Sequence, residues 1–256
     1  MKNVGLITGA SSGIGKELAR IHAEKGRDLV IVARRLEELN TLKKELETKH
    51  EVKVHVIAKD LTAPGACQDI FDEVTEAGIT VEYLFNNAGF GGRGLFHEQQ
   101  WGMLKGMIDL NVSALVELTH LFLPEMVASG KGKILQTSST AAYMAGPLQA
   151  VYFATKAFVN SFSWAVASEV EGTGVTITTL NPGAVKTEFG DVADMADTNM
   201  FENAKSARYT AARGYNAMEA GKLEVITETG LKVMIKGVLP IMPKKVGLNM
   251  IKKMQA

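Results

Sequence analysis

The sequence predicts an α/β fold: one doubly wound domain, with a parallel sheet flanked by helices on both faces. Three observations predict it. Short apolar, β-branched runs alternate with longer segments of helical period. The runs are apolar on both faces, as strands covered on both sides must be. The intervening segments are long enough for helical crossovers, and right-handed crossovers give the Rossmann-type arrangement.

Val4–Thr8, Asp28–Ala33, Val52–Ile57, Tyr83–Asn86, Lys133–Thr137 and Val175–Leu180 read as strands. Ile14–Lys25, Leu36–Thr48, Ala66–Ala77, Gln99–Ser129 and Tyr152–Glu171 read as helices. No linker, repeat or low-complexity tract divides the 256 residues, so a single domain over 1–256 is expected. Residues from about 188 to 256 are expected to supply a substrate lid and a C-terminal extension. Asp191–Met200 lacks clean periodicity and reads as a loop over the site. Gly230–Met254 is apolar and methionine-rich, dotted with Lys232, Lys236, Lys244, Lys245, Lys252 and Lys253, and Pro240 and Pro243 break any helix there in two.

Lysine plus arginine equals aspartate plus glutamate, 28 each, so net charge gives no reason to expect a nucleic-acid partner. Cys67 is the only cysteine, which excludes an internal disulfide and points to a reducing compartment. The opening Met1-Lys2-Asn3 runs directly into the short apolar stretch Val4–Ile7, unlike a signal peptide. No uninterrupted apolar run approaches the length of a membrane-spanning helix. The expectation is a soluble cytoplasmic protein. No two of the five histidines stand at metal-ligand spacing on a plausible helix face, so no metal site is expected.

The first strand ends in Thr8-Gly9-Ala10-Ser11-Ser12-Gly13-Ile14-Gly15, and a helix follows at once. Such glycines let the backbone turn tightly and approach a pyrophosphate, and the helix N-terminus offers free N–H groups to phosphate oxygens. A plain tight βα turn would also use three glycines; position after the first strand favours the phosphate reading. At the end of the second strand, where NAD-binding sheets usually carry Asp or Glu, this chain has Ala33-Arg34-Arg35. A guanidinium there can grip a ribose 2′-phosphate, so NADP(H) is preferred, with NAD(H) as the alternative. Asp60, after the third strand, is placed to accept from an adenine amino group and would serve equally as a helix cap.

Tyr152 and Lys156 lie one turn apart on one helix face. A nearby ammonium favours phenolate, so Lys156 is expected to lower the tyrosine pKa toward the range useful for proton transfer. Ser139 ends the strand before this helix, where a hydroxyl can donate to a carbonyl oxygen becoming an alkoxide. Ser138 and Thr140 could do the same or satisfy local backbone. Asn111 interrupts an apolar helical stretch and must find partners; a kink holding a water, linking Lys156 to solvent, is one way.

These residues resemble the short-chain dehydrogenase/reductase family. Thr8–Gly15 is similar to its T-G-x-x-x-G-x-G fingerprint, Asn86-Asn87-Ala88-Gly89 to its N-N-A-G signature, and Asn181-Pro182-Gly183 with Thr187 to its P-G motif. Ser139 with Tyr152-x-x-x-Lys156 looks like its catalytic set. The resemblance runs from residue 2 to about 190. It implies that Tyr152 carries the proton, that Lys156 depresses the tyrosine pKa and holds the nicotinamide ribose, that Ser139 orients the carbonyl, that Asn111 holds a relay water, and that Thr187 contacts the carboxamide. It further implies cofactor contacts at Gly9, Ser11, Ser12, Gly13, Ile14, Gly15, Arg34, Arg35, Asp60, Leu61, Asn87, Ala88, Gly89, Pro182, Gly183 and Val185. Ser12 stands where many NADPH-specific members carry a basic residue, so the cofactor preference rests on Arg34 and Arg35.

The resemblance implies hydride transfer between NADP(H) and a carbonyl or alcohol substrate, in a homodimer or homotetramer. A redox-sensing protein that binds the cofactor without turnover is the competing class, and loss of Tyr152 or Lys156 would mark it; both are present. The substrate is set by Phe90–Gly94, Gly146–Gln149 and the region after Thr187. Phe90, Met144, Phe189, Met195 and Phe201 suggest an apolar pocket. The lysine-dotted tail reads as a lid or subunit contact, or as a peripheral attachment to an anionic membrane.

Overall fold

The computed structural model describes residues 1–193 and 204–255. Its centre is a seven-stranded, wholly parallel sheet: β1 (Val4–Thr8), β2 (Leu29–Ala33), β3 (Val54–Ala58), β4 (Val81–Asn86), β5 (Gly132–Thr137), β6 (Val175–Asn181) and β7 (Glu224–Ile226). Their spatial order is β3-β2-β1-β4-β5-β6-β7, so the winding reverses between β1 and β4. Ligands of open α/β sheets bind at such a reversal, beyond the strands' carboxyl ends.

Successive residues of one strand point to opposite faces. Leu6, Val30, Leu84 and Ile134 pack on one side with α3 (Ala66–Glu76) and α4 (Trp101–Ser129), where Ile70, Leu118 and Phe122 meet them. Ile7, Ile31, Phe85 and Leu135 pack on the other with α1 (Gly13–Glu24), α2 (Leu36–His50) and α6 (Ala207–Glu219). This two-sided burial is why the strands read as continuous apolar runs. Gly5 of β1 is required by packing: a Cβ there would lie 2.8 Å from the His22 ring. His22 is buried, with Nδ1 2.9 Å from the Tyr215 hydroxyl and Nε2 2.9 Å from the Asn3 carbonyl.

α4 is long and apolar enough to cross a membrane by length and composition. Here it is a core helix: Leu115, Leu118, Phe122 and Met126 are buried, and it carries Asn111 into the site. Between Asp109 and Ala114 it widens into a π-helical turn that contains Asn111. α5 (Ala150–Glu169) follows β5 and carries Tyr152 and Lys156.

The six expected strands and five expected helices are present, with ends displaced by a residue or two. β7 and α6 were not anticipated. β7 has three residues, too few for a period. The buried face of α6 is Thr210, Ala211, Gly214, Tyr215, Ala217 and Met218, where small and polar residues break the apolar period between the two large side chains. Gly214 permits close packing, since a Cβ there would stand 2.8 Å from Leu180 Cδ2. The tail is helical over 229–241 and again over α7 (Lys244–Gln255); Pro243 divides it as expected, whereas Pro240 lies inside the first piece, in its last turn. Most of the expected loop at 191–200 lies outside the described residues, as do Met195 and Phe201.

Candidate active site

A cavity of about 730 Å³ opens at the carboxyl ends of the strands, over the β1–β4 reversal. One end is formed by the glycine loop, Arg34, Arg35 and Lys59 to Thr62, and the other by Ser139, Tyr152 and Lys156.

The glycine end is tightly built. Gly9 and Gly13 have φ of +67° and +53°, a region that favours glycine. A Cβ on Gly15 would lie 2.3 Å from the Gly9 carbonyl oxygen, and one on Gly13 3.0 Å from Thr187 Cγ2. α1 therefore starts against the loop. Ser12, at its N-cap, makes no side-chain cap, so the first-turn N–H groups remain without that partner. An anion is what this cradle suits. Thr8, quoted in the sequence motif without a role of its own, fastens the floor: its hydroxyl donates to the Phe85 carbonyl and accepts from the backbone N–H groups of Asn87 (2.9 Å) and Ala88 (3.0 Å). Asn87 adds Nδ2 to the Thr8 carbonyl at 3.0 Å.

Arg35, the N-cap residue of α2, reaches across the cavity. Its Nη2 lies 3.0 Å from Glu188 Oε2 and 3.2 Å from Ser11 Oγ. Arg35 holds the Glu188 carboxyl below its ordinary pKa, with help from Ser12. Glu188, unremarked in the sequence, thus sits against the guanidinium expected to grip phosphate; only a fold could reveal a partner 153 residues away. Asp60 Oδ1 accepts from the backbone N–H and hydroxyl of Thr62 at 2.9 and 2.8 Å, closing a turn and not capping a helix, since the next helix starts at Ala66 with Gly65 before it; the residue also lines the cavity. The Thr62 bonds lower its pKa, and Arg34 contributes.

At the reactive end, Ser139 extends from β5 and caps the short turn Thr140–Tyr143, its oxygen accepting from Ala141 N–H at 3.1 Å. Its hydroxyl donates to the Pro182 carbonyl at 3.5 Å, and Ser139 also lowers the pKa of the Tyr152 phenol. Ser138 is turned away, donating to the Lys156 carbonyl at 3.0 Å, which makes it a structural residue. Lys156 is buried; its Nζ donates to the Thr137 carbonyl at 2.9 Å and lies 5.8 Å from the Tyr152 ring centroid.

The expected lowering of the Tyr152 pKa is reversed in the chain alone. Burial pushes it up to about 12, with the Ser139 hydrogen bond acting against the rise. Burial likewise pushes Lys156 down to about 8. Both effects have one physical cause: a dry site penalises either charge. Asn111 Oδ1 accepts from Phe90 N–H at 3.1 Å, and its Nδ2 donates to the Phe90 carbonyl (2.9 Å) and Thr155 Oγ1 (3.2 Å). The amide thereby pins the loop after Gly89 to α5.

Around Tyr152 the walls are apolar: Phe90, Met144 and Phe189, with Phe189 5.5 Å away ring to ring. Leu231, Met234, Ile235, Met250 and Ile251 of the tail roof the cavity. The tail's composition was visible in the sequence; its position over the site was not. Leu61, Ala88, Gly89, Pro182, Gly183, Val185, Thr187, Ile14 and Ser11 all line the same cavity.

Comparison with known proteins agrees with this architecture. The short chain dehydrogenase family profile matches residues 3–197. The chain belongs to the short-chain dehydrogenase/reductase family. Among its relatives, sulfoacetaldehyde reductase 2 of Chromohalobacter salexigens is 35% identical over 231 residues, covering 90% of this chain and 89% of that protein. A short-chain dehydrogenase of Sphingobium yanoikuyae, solved in complex with NADPH, superposes with a TM-score of 0.82 at 28% identity, covering 94% and 96% of the two chains. A 7β-hydroxysteroid dehydrogenase structure gives 0.86 at 25% identity, covering 98% and 96%. As a family member the chain is an oxidoreductase of the carbonyl/alcohol class.

Proposed function

We propose that this protein is an NADP(H)-dependent oxidoreductase that interconverts a ketone or aldehyde and its alcohol, on a substrate with a bulky apolar body. One observation carries the reading: Ser139, Tyr152 and Lys156 meet at one end of a continuous cavity whose other end holds the glycine cradle, Arg34 and Arg35.

The cradle fits a dinucleotide. The uncapped N-terminus of α1, brought against the glycine loop by the close packing at Gly9, Gly13 and Gly15, suits a pyrophosphate, and Arg34 and Arg35 suit a 2′-phosphate. When bound, the nicotinamide supplies or receives the hydride. Tyr152 moves the proton at the substrate oxygen through its phenol, and Ser139 donates to that same oxygen and fixes its place. Lys156, whose ammonium lacks a carboxylate partner among the described residues, favours a phenolate beside it and would donate to the neutral hydroxyls of a bound ribose. Phe189 and the tail exclude water.

The lining argues for an apolar substrate. A small sulfonated aldehyde, the kind named for the Chromohalobacter relative, calls for a cation near the reacting carbon. Among the described lining residues the only basic group at that end is Lys156, since Arg34, Arg35 and Lys59 stand at the other. Residues 194–203 contain no Lys or Arg.

The test is a panel of bulky apolar ketones and their alcohols, run with NADPH and NADH in parallel on wild type and Tyr152→Phe. The expected result is NADPH-preferring turnover that falls by roughly 10²–10⁴-fold in the variant while NADPH binding is retained. A fully active Tyr152→Phe, or turnover confined to small anionic aldehydes, would overturn the reading.

A further inference from the structure

We propose that the helical tail, residues 229–255, is a docking surface for an anionic lipid bilayer. The chain's 28 basic and 28 acidic residues are unevenly spread: six lysines and no Asp or Glu follow residue 228. All six, Lys232, Lys236, Lys244, Lys245, Lys252 and Lys253, are exposed. Lys236 pairs with Glu224; the other five make no ion pair among the described residues.

Between these lysines stand apolar side chains that the fold leaves uncovered. Ile241 is 82% exposed, Val233 63% and Val246 55%, with Val238 and Leu248 also outward. Ile241 stands between Pro240 and Pro243, at the break between the two helical pieces, so the most exposed apolar side chain marks the bend. Exposed lysines interspersed with exposed apolar side chains match the chemistry of a bilayer interface: ammonium groups meet anionic headgroups, and the apolar side chains enter the acyl boundary.

The charge distribution also selects among occupants. An isologous contact between two copies would set this lysine-rich face against itself, like charge on like. The inner sides of the same helices roof the catalytic cavity, and Met254 is both exposed and part of its lining, so the outer patch and the cavity meet at that side chain. A bilayer-borne apolar substrate would reach the cavity from this side.

The test is flotation of the full chain with phosphatidylcholine vesicles, with and without about one third phosphatidylglycerol. Because it reads no turnover, it stands or falls independently of the substrate and cofactor readings. Wild type should float with the anionic vesicles only, less in high salt. Each lysine near an anionic surface contributes roughly a factor of five. Lys244→Glu, Lys245→Glu, Lys252→Glu and Lys253→Glu combined should therefore lower partitioning by at least about a hundredfold. Ile241→Gln should lower it about tenfold. All are exposed positions, and unchanged circular-dichroism melting shows that the fold is kept. Three results would overturn the proposal: no flotation with anionic vesicles, equal flotation with neutral ones, or a charge-reversed variant that floats like wild type. A wild-type dimer that Ile241→Gln dissociates, without vesicle binding, would instead make the tail a subunit contact.

Discussion

Lys156 is a buried ammonium without a buried counter-charge among the described residues, and that makes its removal informative. Its pKa is pushed from 10.5 to about 8 by burial. The folded chain therefore binds that proton less readily than the unfolded chain. The associated stability is present above about pH 10.5, is lost as pH falls toward 8, and stays lost below. The gap corresponds to about 3 kcal/mol, an upper figure because the Thr137 carbonyl, 2.9 Å away, favours the charged form. Lys156→Met keeps the stem and removes the charge, leaving the Thr137 oxygen unpaired at a cost of roughly 1 kcal/mol at every pH. Urea unfolding of wild type and variant at pH 7 and pH 9.5 separates the two effects. Relative to the variant, wild type should gain about 2 kcal/mol between those pH values. A stability difference that stays flat over this interval would refute the claim that the lysine is held in a dry site with its proton disfavoured.

Other sites give equally direct expectations. Gly15→Ala would drive a Cβ to 2.3 Å from the Gly9 carbonyl, so NADPH binding followed by nucleotide fluorescence should be lost and unfolding free energy should drop by roughly 1–3 kcal/mol. Glu188→Gln should release Arg35 and tighten NADPH binding roughly three- to fivefold, with a smaller gain for NADH; equal gains in titration would deny Arg35 its phosphate role. Burial pushes His22 from 6.5 down to about 4, so stability is whole above about pH 6.5 and falls by about 3 kcal/mol toward pH 4 as the unfolded chain takes up the proton. His22→Gln should remove that acid limb in a pH series of melting curves.

The fold was legible because a parallel sheet buried on both faces leaves continuous apolar runs, as at Leu29–Ala33, and the crossover helices restore a longer period between them. The reactive residues were legible because Tyr152 and Lys156 share one helix and Ser139 ends the strand before it. What could not be read were relations between distant segments. Glu188 meets Arg35 only because the chain after β6 returns to the glycine loop, and the roof over the cavity depends on how the tail folds back. Local spacing also misled on acidity. It suggested that the lysine would dominate the tyrosine, whereas burial outweighs that influence at both groups, a property of the enclosure and not of the pair. α6 escaped because Thr210, Gly214 and two alanines interrupt the apolar period of its buried face, leaving Tyr215 and Met218 as its only large apolar side chains.

The hydroxyl of Thr8 ties two strand ends at the reversal, holding Asn87 and Ala88 by their own N–H groups. Amides there should exchange with solvent only when the whole molecule unfolds, whereas the exposed helices of the tail should open on their own at a lower free energy. The floor and the roof of the cavity would then belong to different cooperative units. Substitutions in the tail could reshape which substrates enter while the strand ends that position cofactor and reacting atoms keep their geometry. In such a molecule, changes in substrate range and changes in chemistry can accumulate separately.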